Sequence, residues 1–111
     1  MAEPSESLTF LNALAGLATR LSVDGVDIYS VTYHSQVFGS WEIEAGRRRV
    51  RVRVTWDGKD RHLIVATANL ASGSSERKWQ LAEEHDLRDR HPGLVQLFGT
   101  VYAAIKAHAG V

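Results

Sequence analysis

Residues 46–56 read GRRRVRVRVTW, and the reading of this stretch decides the fold. Five arginines fall within residues 47–53, and beyond Arg49 they alternate with valines. Strict alternation is the period of a β-strand, whose successive side chains point to opposite faces. Val50, Val52, Val54 and Trp56 therefore share one face, and Arg49, Arg51 and Arg53 the other. Burying each of the apolar chains stabilises a fold by roughly 1.5–3 kcal/mol, so the valine face must turn inward and the arginines outward.

The flanks extend this strand into a sheet. Upstream, Gly46-Arg47 suits a two-residue type II′ hairpin loop, with glycine where φ must be positive. That register sets Glu44 against Arg49, Ile43 against Val50, Glu42 against Arg51 and Trp41 against Val52. Moving the loop to Ala45-Gly46 slips the pairing by two residues and keeps the same faces. Downstream, Asp57-Gly58 signals a second hairpin. The period of two runs from Val26 to Leu70 and predicts strands over 27–35, 37–44, 48–56 and 61–70.

Helices bracket the strands. Phe10, Leu11, Leu14, Leu17, Ala18 and Leu21 recur at spacings of three and four, one apolar stripe. Ser7 is the expected N-cap, and the helix should stop where Gly25 can take a positive φ. A second stripe of Leu94, Leu97, Phe98, Val101, Ile105 and His108 follows Pro92, which suits a first helical turn. Between them, helix formers predict a helix over 76–90, with an edge strand through Trp79 and Leu81 as the alternative. The expected architecture is one α+β domain over residues 1–111: an N-terminal helix, an antiparallel meander of four or five strands, and a C-terminal helix or helices on the same sheet face. Residues 1–6 are read as a flexible tail.

Composition narrows the function. Thirteen basic and thirteen acidic residues give a net charge of zero, with 44% hydrophobic and 23% charged residues, the balance of an ordinary soluble domain. A dedicated nucleic-acid or anionic-membrane binder usually carries a basic excess. The chain has no cysteine, which excludes disulfides, thiolate metal sites and a cysteine nucleophile. The acidic N-terminal residues are unlike a signal peptide, and a cytoplasmic location is expected.

Three surfaces are candidate sites. The first is the arginine face, Arg47, Arg49, Arg51 and Arg53 with Glu42 and Glu44 opposite. Cross-strand charge pairs contribute about 0.2–1 kcal/mol each, so this face reads first as a solvated, self-neutralised surface. Trp79, set among Arg77, Lys78 and Gln80, adds the character of an interface anchor. The reading that follows is a non-catalytic domain that binds another protein or its own copy. Nucleic acid is the alternative partner, but three phosphate contacts would give a salt slope of only about −2.7, and base-stacking aromatics are missing from the arginine strand. The second is a pocket between sheet and helices, where Tyr29, Tyr33, His34, Trp41 and Thr67 would present polar groups in an apolar setting. The third is EEHDLRDRH (83–91), where His85 and Asp89 at helical i,i+4 spacing could hold a metal ion. The same spacing joins Glu84 to Arg88 as an ion pair, and no metal, cofactor or catalytic residue is assigned. No motif places the chain in a family.

Overall fold

The computed structural model describes residues 6–34, 36, 39–70, 78–90 and 93–111. Helix α1 (Glu6–Val23) leads into five strands, β1 (Asp27–His34), β2 (Ser40–Arg47), β3 (Val50–Asp57), β4 (His62–Asn69) and β5 (Gln80–Asp86), and helix α2 (Leu94–His108) follows. The strands form one antiparallel sheet in the order β1-β2-β3-β4-β5. Both helices lie on one face of that sheet, as the stripes predict.

Helix α1 starts at Glu6, so Ser7 lies inside it and is not its cap. It ends as expected at Gly25, whose φ is +75°. The Gly25 N–H donates to the Ser22 carbonyl and the Val26 N–H to the Leu21 carbonyl, at 3.1 and 2.9 Å. These two bonds satisfy carbonyls left over at the helix end. Pro92 lies outside the described residues. Within them, α2 opens with the Leu97 N–H bonded to the Gly93 carbonyl at 2.9 Å.

The valine face is the core face. Val52, Val54, Ile43, Ala45, Leu63 and Val65 are sealed from solvent, and Trp41 and Trp56 close one end of the layer. Phe10, Leu17 and Leu21 of α1 and Leu97, Phe98, Val101 and Ile105 of α2 press onto them. Leu11, at the margin of the predicted stripe, is exposed.

The β2–β3 register differs from the expected one by four residues. Trp41 pairs with Trp56, Ile43 with Val54, Glu44 with Arg53, Ala45 with Val52, Gly46 with Arg51 and Arg47 with Val50. The loop is therefore Arg48-Arg49, and Arg48 takes the positive φ of +57°. Because the slip is even, the side chains of residues 41–45 and 50–56 stay on their predicted faces. Gly46 is needed inside the strand, since a Cβ there would run into the Val50 carbonyl. The second hairpin forms at Asp57, whose Oδ1 accepts the Lys59 and Asp60 N–H groups at 3.0 and 3.2 Å.

Residues 80–86 form the edge strand β5, so the helix expected over 76–90 is not what the chain adopts. Pairing along β4 supplies backbone partners that outweigh the helix propensity of a segment with few apolar residues to bury.

Candidate functional site

The outer face of the sheet carries the arginines, in an ordered arrangement. Arg53 places Nε 3.2 Å from Glu42 Oε1 and its Cζ 4.5 Å from the centre of the Trp79 ring. Glu42 also accepts a 3.4 Å hydrogen bond from Thr55. Arg51 lies flat: its Cζ sits 4.0 Å above the Tyr29 ring, and Nη1 donates to the Arg48 and Val50 carbonyls at 2.7 and 3.0 Å. Expected to be exposed, Arg51 is only 8% exposed, because the missing side chain of Gly46 leaves a channel across β2. Its Nε is the one buried side-chain atom without a hydrogen-bond partner among the described residues.

Arg47 and Arg49 do not join this array. Arg47 projects to the helix side, where Nη1 donates to the Gly110 carbonyl at 2.8 Å, a cation at the negative end of α2. Arg49 sits exposed in the hairpin loop. Glu42 and Glu44 share the outer face with Arg51 and Arg53, as expected, and Glu44 is buried there.

Two β-bulges decide what else is exposed. In β1 the register shifts between Ile28 and Ser30, leaving Tyr29 unpaired and turned outward beneath Arg51. In β5, Val65 pairs with Glu83 and Ala66 with Leu81, so Ala82 is the extra residue. That shift sends Leu81 outward, 62% exposed beside Trp79, and sends Glu83 and His85 toward the helices.

On the helix side, Glu83 bridges two histidines. Its Oε1 lies 2.9 Å from His85 Nε2 and its Oε2 2.6 Å from His108 Nε2, tying the sheet edge to the end of α2. Partial burial on its own would raise the Glu83 carboxyl, but the hydrogen bonds and charge of His85 and His108 together hold it below its ordinary value. His85 does not form the helical i,i+4 pair considered for it with Asp89, because it lies in a strand. Among the described residues no cluster of three such side chains is arranged to hold a metal ion. At the opposite side of β5, Asp86 is held below the usual carboxylate range by the side-chain and backbone hydrogen bonds of Arg88, and these two border a surface cleft with Asp60 and His62.

A pocket of about 270 Å³ opens at the tryptophan end of the inner layer, lined by Thr9, Phe10, Tyr33, Gly39, Trp41, Trp56 and Leu94. Of the five residues expected there, Tyr33 and Trp41 line it. Tyr29 is turned away by the β1 bulge, His34 opposite Ser40 lies on the outer side, and Thr67, paired with Val52 and Gln80, faces inward away from the opening. Phe10, Trp56 and Leu94 were legible only as core residues. They reach the pocket because the two helix beginnings and the ends of β1, β2 and β3 meet there. Phe10 stacks on Tyr33 at 4.6 Å, and Trp41 meets Phe98 edge-on at 5.1 Å.

Among the described residues, no helix is long and apolar enough to cross a membrane. Compared with known proteins, the chain matches no family model, and no curated protein or solved structure matches it either.

Proposed function

We propose that this domain acts without catalysis, by binding protein through the outer face of its sheet, and that a second copy of the chain is the partner the face fits best. The observation that carries the reading is the pairing of Leu81, 62% exposed, with a Trp79 held by Arg53. An immobilised tryptophan beside an exposed leucine has the makeup of a binding hot spot, because little side-chain freedom is left to lose on contact. The face also mixes both charge signs, Arg53 beside Glu42, as a two-fold interface requires when each patch must complement itself. A cytoplasmic setting goes with this reading.

Nucleic acid fits this face less well. Arg51 is committed to Tyr29 and two carbonyls, Arg53 to Glu42 and Trp79, and Arg47 to the far side of the sheet. Phosphate binding would have to break those contacts first.

Light scattering on size-exclusion fractions at increasing concentration tests the reading. A mass rising toward twice that of the chain, and lost in Leu81→Lys, is the expected result. A wild-type chain that stays monomeric throughout, and whose exchange protection over 79–86 does not grow with concentration, overturns it.

A further inference from the structure

The pocket at the Trp41 end has walls of one chemical kind. Four of the seven described residues that line it are aromatic, and none of the seven carries a charge at neutral pH. Trp41 is 2% exposed, yet no hydrogen bond joins its indole N–H, that of Trp56 or the Tyr33 hydroxyl to another described residue. None of these atoms is sealed from solvent either, since Arg51 Nε alone is both buried and unpaired among the described residues. Trp41, Trp56 and Tyr33 all line the pocket, so these unpaired polar groups belong to residues of its wall. The hydroxyl of Tyr33 stands 3.7 Å from where a Cβ on Gly39 would be, so the absence of a side chain at residue 39 keeps that group accessible.

We infer that this pocket is a binding site for a small, neutral, planar aromatic molecule of one or two fused rings that carries a hydrogen-bond acceptor. Size sets the first limit. A dry cavity of about 150 Å³ holds benzene and drug-sized ligands occupy about 300–1,000 Å³, so ≈ 270 Å³ matches one or two rings. Charge sets the second: the described residues of the wall offer no counter-ion, so a charged ligand would lose its hydration uncompensated by them. A quaternary ammonium is disfavoured further, because it needs open ring faces, whereas Phe10 and Tyr33 turn a face toward each other, 19° from parallel. The walls select an acceptor, since an indole N–H can only donate. The site is independent of the outer face, where Trp79 lies.

Coumarin is a suitable probe: flat, uncharged, two fused rings and one carbonyl. Its titration is followed by the three indole N–H signals in a proton–nitrogen NMR spectrum, beside cyclohexanol and tetramethylammonium. Saturable shifts of the Trp41 and Trp56 signals, with Trp79 unmoved and a melting temperature that rises with coumarin concentration, are expected. Leu94→Trp, which fills the opening, should weaken binding at least tenfold. Tyr33→Phe, which removes only a hydroxyl, should weaken it severalfold and serves if the larger change does not fold. The inference is overturned by shifts that never saturate, by a Trp79 signal that moves in step, by undiminished affinity in both variants, or by saturation with cyclohexanol or tetramethylammonium instead.

Discussion

Arg51 lies across the bare backbone of Gly46, its partner in the β2–β3 ladder: a Cβ on that glycine would stand 2.9 Å from both Cδ and Nη1 of Arg51. The glycine is therefore required for the space it leaves, and the hairpin's positive φ falls two residues later at Arg48. Gly46→Ala should cost on the order of 2–3 kcal/mol, because the Val50 carbonyl, a backbone group, must also move. A urea midpoint equal to that of the wild type would show that Arg51 does not occupy this channel.

Arg51 and Arg49 should then separate sharply, although alternation alone places both on the wet face. Arg51→Gln loses two carbonyl hydrogen bonds and the ring contact with Tyr29, about 1–3 kcal/mol. Arg49→Gln, in the exposed loop, should fall within about 0.5 kcal/mol of the wild type. Val52→Ala gives the core reference, about 1–3 kcal/mol for a fully sealed side chain. Denaturant melts of the three variants check the order, and equal costs for the two arginine changes would contradict the structure.

Arg48 holds a left-handed conformation at φ +57°, where a Cβ crowds the backbone and costs about 1 kcal/mol. Arg48→Gly should relieve it and raise stability by about 0.5–1 kcal/mol, leaving the Arg48 carbonyl available to Arg51. Thermal unfolding measures this directly, and a lowered melting temperature would mean that the arginine side chain contributes more than the strain removes.

Glu83 makes stability depend on pH with a definite sign. Its folded value lies below the ordinary 4.5, so the unfolded chain binds the proton more readily. The contribution is present above the ordinary value and is lost as pH falls below it toward the folded one. Urea melts from about pH 6 to about pH 3 should show wild type losing its advantage over Glu83→Gln as acid is added. Parallel curves would mean that the bridge to His85 and His108 does not form in solution.

Arg47 ties the sheet to the end of α2 through the Gly110 carbonyl. Arg47→Met keeps most of the stem and removes the charge, so amide exchange should accelerate over the last turn of α2 while the β3 amides stay protected. Uniform acceleration across the chain would assign the residue a global role instead.

What the amino-acid order determined by itself is the set of faces. Alternation in residues 50–56 and the three-and-four spacing of the two stripes state which side chains go inward, and an even register slip cannot change that. Helix order, the antiparallel meander and the Trp41–Tyr33 pair in the pocket all follow from those periods. The tertiary structure alone decided register, the fate of residues 80–86, and the destination of every side chain near a bulge. A single extra residue at Tyr29 or Ala82 reverses the facing on one side of it. Those reversals put Tyr29 under Arg51 and take it from the pocket; they also send Leu81 to solvent and bring Glu83 to His108. No local pattern marks such a position, because a bulge forms where two already paired strands must accommodate twist and packing. The partners Arg51–Tyr29 and Glu83–His108 are far apart in the chain, and they meet only once the sheet and helices are assembled.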